Sequence, residues 1–173
     1  IMIDSGLQIV SNQVQYSIID RRPEVKMIPF CMEHNISLLG YGCICGGLLS
    51  ERYVGRIEPS NVELDTLSLR KYKKMIDTWG GWNLFQDLLL TLKRIAKKYN
   101  VNIANVATSY ILAKPAVAGV IIGVRLGIVD HINDNTQAFN FNLDKLDCDA
   151  IDAVCAKANN LFEIIGDCGD EYR

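Results

Sequence analysis

Three short segments with strand-like patterns alternate with longer segments of helical periodicity. Polar and apolar residues alternate in NQVQYS at residues 12–17, which is typical of a strand. ISLLGYG at 36–42 and VAGVIIGV at 117–124 are apolar almost throughout, which is typical of strands buried on both faces. The pattern therefore predicts three strands, of which the second and third are buried.

The segments between and after these strands favour helices. The strongest helical pattern covers 84–100, where apolar residues recur every three or four positions and Asn100 can end the helix. Asn102 can cap the following helix. Other helices are predicted at 20–35, around 69–79, at 103–114, 127–139 and 143–160, and a short one after the turn CICGG. The helix at 143–160 is expected to turn one side inward, formed by Leu146, Ala150 and Val154 and continued by Leu161.

Alternation of strands and helices predicts a parallel sheet covered by helices. A closed (β/α)8 barrel takes roughly 250 residues, and three parallel strands cannot close. An open doubly wound sheet is the alternative, although such sheets usually show more strands. The simplest expectation is an α/β fold that forms the C-terminal portion of a (β/α)8 TIM barrel, with about three parallel strands and flanking helices.

Charge and hydropathy exclude some partners. The net charge is −2, with no long run of either sign, which argues against binding to nucleic acid or to a membrane surface. No apolar stretch reaches the ~18 residues of a membrane helix.

A cytoplasmic location is expected, and a plastid location stays open if a transit peptide precedes residue 1. Because the chain begins with Ile1, we expect a processed product or a fragment.

The six cysteines and two histidines lack the spacing of a four-ligand zinc site, so no metal is expected. The cysteines are interpreted as reduced, mostly buried thiols. A reactive thiol is the alternative for Cys43 and Cys45, which lie beside glycines at a strand end, although no histidine is near them in sequence. His34 and His131 are interpreted as surface residues.

Three motifs carry a family resemblance. SNQVQYSIIDRRPE, FCMEHNISLLGYGCICGGLLSERY and PAVAGVIIGVR followed by HIN resemble, in this order, the C-terminal half of the aldo-keto reductases and of the related potassium-channel β subunits. WGGWNLFQ and the ending GDCGDEYR resemble a plant- and alga-type subgroup of NADP-linked oxidoreductases. The resemblance implies that residues 1–173 are the C-terminal part of such an NADP-dependent oxidoreductase domain, without its N-terminal half.

The resemblance implies a cofactor, NADPH or NADP+, that lies across the C-terminal face of the barrel. Gln13 would hydrogen-bond the nicotinamide carboxamide, and Tyr41 would stack on the nicotinamide ring. The alternatives are a polar residue in the barrel mouth for Gln13 and a core tyrosine for Tyr41. The loop that wraps the pyrophosphate would act through its backbone N–H groups and consists of Gly42, Cys43, Ile44, Cys45 and Gly46. Many relatives have Ser-Pro-Leu in this loop, so the side chains depart from the common pattern.

The adenosine end of the cofactor is implied at the third strand. Gly123 ends that strand, and Arg125 matches the position that contacts the adenosine 2′-phosphate. A guanidinium offers phosphate a planar fork of donors. A solvated surface arginine is the alternative. Asn133 matches the asparagine that hydrogen-bonds the adenine.

The catalytic aspartate, tyrosine, lysine and histidine of the family would all lie upstream of residue 1, so no catalytic residue is assigned here. The implied function is NADPH-dependent reduction of aldehydes or ketones by a longer parent, with a small carbonyl compound as substrate. A non-catalytic NADP(H)-binding regulatory subunit, similar to the potassium-channel β subunits, and a truncated product without function are the alternatives. The isolated chain is expected to be inactive and to self-associate through its strand edges.

Overall fold

Three parallel strands form the centre of the molecule. A computed structural model of the chain describes residues 5–124 and 131–170. The strands are β1 (Ser11–Gln15), β2 (Ser37–Tyr41) and β3 (Val117–Ile121), and they lie side by side in this order with β2 in the middle. Both pairings are parallel, with a register shift between Leu38 and Leu39 of β2. The predicted parallel sheet is confirmed.

Helices connect and cover the strands. Within the described residues they are α1 (Met27–Glu33), α2 (Leu67–Trp79), α3 (Gly81–Tyr99), α4 (Ile103–Leu112), α5 (Ile132–Thr136), α6 (Lys145–Cys155) and α7 (Leu161–Ile165). Single 3-10 turns are formed by Arg22–Glu24, Cys45–Gly47, Glu51–Tyr53 and Gln137–Phe139. None of the described helices combines the length and the apolar character needed to cross a bilayer.

Local sequence signals account for several helix ends. Asn100 ends α3 in the left-handed conformation, with φ of 55°. The Asn102 side chain accepts a hydrogen bond from the Asn105 backbone N–H and thereby caps α4. These two predictions are confirmed. Each depends on one residue alone: the Asn102 side chain caps a helix N-terminus, and Asn100 adopts the left-handed conformation that ends a helix.

The core lies on the face of the sheet that α4 covers. Leu38 of β2 is fully buried on this face. A Cβ added at Gly40, on the same face, would lie 3.4 Å from the Ile111 side chain of α4. The buried stripe of α3, formed by Phe85, Leu88, Leu89 and Leu92, extends the core outward. The strand ends are thus fixed against a rigid helical layer.

The structure corrects several predicted elements. The helix predicted from residue 20 begins only at Met27. The short helix predicted after CICGG forms two 3-10 turns. Leu146 is 78% exposed, so its predicted burial is wrong, whereas the predicted burial of Val154 and Leu161 is confirmed. The buried face of α6 is formed by Asp147, Ile151 and Val154, which share a face at helical spacing. Of the helix predicted at 127–139, residues 127–130 lie outside the described residues.

The third strand also differs from its prediction. It ends at Ile121 rather than at 124, and its residues are half-buried or exposed. The cause is the position of β3 at one edge of the sheet, because it pairs only with β2 within the described chain. β1 lies at the other edge and also pairs only with β2. The outer edges of β1 and β3 carry backbone groups that a further strand could pair with. The expected self-association through these edges stays a prediction.

Candidate functional site

A cavity of about 570 Å³ opens where β2 and β3 end. Carboxyl ends of parallel strands meet at one edge of a sheet, which is where α/β proteins commonly bind ligands. The walls come from the end of β2, the glycine-rich loop after it, the segment before and at the start of α2, and the end of β3. The lining residues are Tyr41, Gly42, Cys43, Ile44, Gly46, Gly47, Arg52, Tyr53, Asp65, Thr66, Ser68, Leu69, Tyr72, Ile121, Ile122, Gly123, Val124 and His131.

Six of the ten predicted cofactor residues line this cavity: Tyr41, Gly42, Cys43, Ile44, Gly46 and Gly123. Cys45 is completely buried within the same loop. Gln13 on β1 and Asn133 on α5 are exposed and are not among the lining residues. Arg125 lies outside the described residues. The structure thus brings together the residues assigned to the nicotinamide ring and the pyrophosphate, and their roles stay predictions.

The loop after β2 is folded tightly enough to exclude side chains at two positions. Gly42 has φ of 74°, and a Cβ there would overlap the hydroxyl of Tyr72. Gly46 has φ of 65°, and a Cβ there would lie 2.7 Å from Ser68 Oγ. The Cys45 N–H donates to the Gly42 carbonyl at 2.9 Å and closes the turn. Glycine therefore lets the backbone of this loop approach its neighbours, and a ligand, closely.

The two thiols of the loop are poor nucleophiles. Burial raises the pKa of the Cys43 thiol to about 12. Burial also raises the pKa of Cys45 well above its ordinary value, although a hydrogen bond with Ser17 opposes this. Because the thiolate is the reactive form, burial argues against the reactive-thiol alternative for both residues. They contribute backbone and packing to the loop.

A buried ion pair is connected to this loop by hydrogen bonds. The guanidinium of Arg22 donates to Asp20 from Nε at 2.8 Å and from Nη2 at 2.9 Å, and both side chains are fully buried. The Gln15 amide donates to the same carboxylate at 2.7 Å. Ser17 connects the cluster to the loop, since its hydroxyl accepts from the Asp20 N–H and it is hydrogen-bonded to Cys45. The buried ion pair is thus linked through Ser17 to the loop after β2.

Sequence reasoning missed the wall next to the glycine-rich loop, where the start of α2 packs on the loop. Thr66 caps α2 by accepting from the Leu69 N–H, and Ser68 lies in its first turn. Arg52 brings a guanidinium to the cavity, and His131, interpreted as a surface residue, is exposed and lines it too. One signal was present in the sequence: Thr66 precedes an amphipathic helix and marks its N-terminus.

The donor set of this cavity fits a nucleotide. Close backbone approach at the glycine loop, the hydroxyls of Thr66 and Ser68 and the cation of Arg52 suit phosphate oxygens. Tyr41 supplies an aromatic wall. The described residues contain no cluster of three or more histidine, cysteine or acidic side chains that could hold a metal ion. The groups named here could hold an organic anion with an aromatic ring.

A second cavity, of about 390 Å³, lies between residues 19–25 and 152–162. Its charged groups already contact one another: Arg21 Nη2 lies 2.7 Å from Asp152 Oδ1. Burial alone would raise the pKa of Asp152, but hydrogen bonds from Tyr110 and Arg21 outweigh burial and hold it below its ordinary value. These pairings explain the cluster as part of the packing of α6 against the rest of the chain.

Comparison with known proteins identifies the family. A family model described as the aldo/keto reductase family matches residues 2–156. The uncharacterized oxidoreductase YqkF of Bacillus subtilis is 31% identical over 133 residues, which cover 76% of this chain and 38% of that protein.

Solved structures show the same fold. The glycerol dehydrogenase AKR11B4 from Gluconobacter oxydans aligns with a TM-score of 0.71 and 18% identity, over 90% of this chain and 45% of that one. An aldo/keto reductase from Klebsiella pneumoniae, solved in complex with NADP and acetate, aligns with a TM-score of 0.54 and 14% identity, over 84% of this chain and 39% of that one. The chain spans less than half the length of each protein compared. Its strands and helices are part of a TIM-barrel fold, as expected, and the chain belongs to the aldo/keto reductase family.

Proposed function

We propose that this chain forms the NADPH-binding part of an oxidoreductase that reduces aldehydes or ketones. Membership of the aldo/keto reductase family supports oxidoreductase chemistry. The observation that carries the proposal is the cavity at the ends of β2 and β3, which has a glycine-rich loop on one side and Tyr41 at its edge. One structural neighbour was solved with NADP, which supports this choice of cofactor.

In this proposal, each wall of the cavity has one task. Tyr41 presents its ring to the nicotinamide, and the backbone of residues 42–46 follows the pyrophosphate. Arg52, Thr66 and Ser68 add donors from the adjoining wall. Bound NADPH supplies the hydride that reduces the carbonyl carbon of the substrate. No residue of this chain is assigned the transfer of the proton.

A nucleotide titration tests the proposal. Trp82 packs edge-to-face on Tyr53, which lines the cavity, with ring centroids 6.2 Å apart. NADPH that binds there should quench tryptophan fluorescence in a saturable manner. In the full-length protein, NADPH should then be oxidised in the presence of an aromatic aldehyde such as nitrobenzaldehyde. A folded protein that shows no saturable binding contradicts the proposal, and binding without turnover favours the regulatory-subunit hypothesis.

Replacement of Arg125 by alanine should weaken NADPH binding about 10- to 150-fold, as expected for the loss of a charge-assisted contact to phosphate. NADH lacks the 2′-phosphate, so its affinity should change little. Arg125→Lys should retain part of the preference, because an ammonium cannot reproduce the planar fork. Fluorescence titration with both nucleotides measures the effect.

Arg94→Ala is the matched control, since Arg94 is an exposed arginine of α3 and does not line the cavity. It should leave both affinities unchanged. Equal losses for NADPH and NADH in Arg125→Ala would show that Arg125 supports the fold or the pyrophosphate loop. No loss for either nucleotide would make it a solvated surface arginine.

A further inference from the structure

A lysine of α2 places its charge over the aromatic wall of the cavity. The Lys71 ammonium lies 5.7 Å from the ring centroid of Tyr41 and 5.6 Å from that of Tyr72. Both tyrosines line the cavity, whereas the Lys71 side chain is not among the lining groups. A cation is attracted to the face of an aromatic ring at this distance. The two rings therefore hold a positive charge close to the cavity wall that they form.

From this arrangement we propose that Lys71 makes the site prefer the reduced nicotinamide cofactor over the oxidised one. The inference rests on the proposed function, since it requires the nicotinamide ring to lie against Tyr41. The nicotinamide ring of NADP+ carries a positive charge, and that of NADPH is neutral. The two forms share the same phosphates, so charges that contact phosphate change both affinities alike. A cation near the ring changes the ratio of the two affinities, because only the oxidised ring carries a charge.

The distances are short enough for this effect. Stacked rings have centroids about 4.5–7 Å apart, so a ring on Tyr41 would lie on the order of 10 Å from the Lys71 ammonium. The Debye length at physiological ionic strength is about 8 Å, and partly buried charges are screened less than exposed ones. Lys71 is half-buried. At this separation salt reduces the repulsion between the two cations, and the partial burial of Lys71 keeps part of it.

The direction of the effect has a consequence for the reaction. A site that binds NADPH more tightly than NADP+ is loaded with the reduced form when both are present, and it releases the oxidised form after hydride transfer. Lys71 thereby acts as a specificity-determining residue that favours reduction of carbonyl compounds over oxidation of alcohols.

The test compares the dissociation constants of NADP+ and NADPH for the wild type, Lys71→Met and Lys71→Arg. Lys74→Met is the matched control, because Lys74 lies on the exposed side of the same helix. In Lys71→Met, the ratio of the NADP+ constant to the NADPH constant should fall about threefold to tenfold, mainly through tighter binding of NADP+. The ratio should stay within about twofold of wild type in Lys71→Arg and Lys74→Met.

Two results would overturn the assignment. An unchanged ratio in Lys71→Met would show that the ammonium does not act on the ring, and equal weakening of both nucleotides would show that it acts on the phosphates. Either result leaves the cofactor site itself in place. A folded wild type that binds neither nucleotide would refute the proposed function and this inference together. Thermal unfolding of each variant confirms that the fold is intact.

Discussion

Replacement of Arg22 by methionine should lower the free energy of unfolding by about 3–5 kcal/mol, the range found when one partner of a buried ion pair is removed. The side chains of Arg22 and Asp20 are 1% and 0% exposed. Without the guanidinium, the Asp20 carboxylate would keep only smaller partners such as the Gln15 amide. Arg22 also donates to the Asp167 carbonyl, so the variant should loosen the segment after α7 as well.

Urea denaturation measures this loss, with Trp79 and Trp82 as buried fluorescent reporters. The control is Lys145→Met, which removes an ion pair with Asp149 whose lysine is 85% exposed, and it should leave stability essentially unchanged. The double variant Asp20→Asn with Arg22→Met should recover part of the loss, because no uncompensated charge remains. An Arg22→Met protein as stable as wild type would show that Asp20 does not need its partner.

Replacement of Gly42 by alanine should lower the free energy of unfolding by about 2–4 kcal/mol and abolish most NADPH binding. The new methyl group would overlap the Tyr72 hydroxyl, and the residue would also be forced into φ of 74°, which L side chains rarely adopt. To relieve the overlap, either Tyr72 must leave the cavity wall or the loop must shift. Both movements change the surface that would face the cofactor.

Gly55→Ala separates these two causes. Gly55 has φ of 71°, yet nothing lies within 4 Å of a Cβ at that position, and it does not line the cavity. This variant should show the backbone strain alone, about 1 kcal/mol, with NADPH affinity retained. Urea denaturation and NADPH titration of both variants provide the comparison. Equal losses of stability would show that Tyr72 yields at little cost and that the loop tolerates a side chain.

The parts of the fold that depend on local signals could be predicted from the sequence. The periodic apolar stripe of α3 and the terminal residues Asn100 and Asn102 specify a helix, its end and the next beginning without reference to the rest of the chain. The exposure of β3 could not be predicted in this way. An apolar run becomes a buried strand only when neighbours cover both of its sides, and β3 has one neighbour in the described chain.

The candidate site could likewise be predicted only in part from the sequence. The resemblance pointed to Tyr41 and the loop at 42–46, because those residues form one contiguous motif. The adjoining wall was missed, since Ser68 reaches Gly46 only through the packing of α2 on the loop. The Asp20–Arg22 pair was missed for a different reason. Charged residues after a strand indicate a solvated loop, and only the tertiary structure shows that these two are buried together.

The order of pairing in the sheet bears on how the chain folds. One short α-helix separates β1 from β2 along the chain, whereas three α-helices separate β2 from β3. Leu38 of β2 therefore pairs with a distant residue, Val117 of β3. Closing this longer loop costs about 1 kcal/mol more in chain entropy than closing the shorter one, and distant pairings slow folding. The cavity lies between the ends of β2 and β3. It therefore depends on a pairing that closes a long loop, and a nucleotide bound between these strand ends would stabilise that pairing.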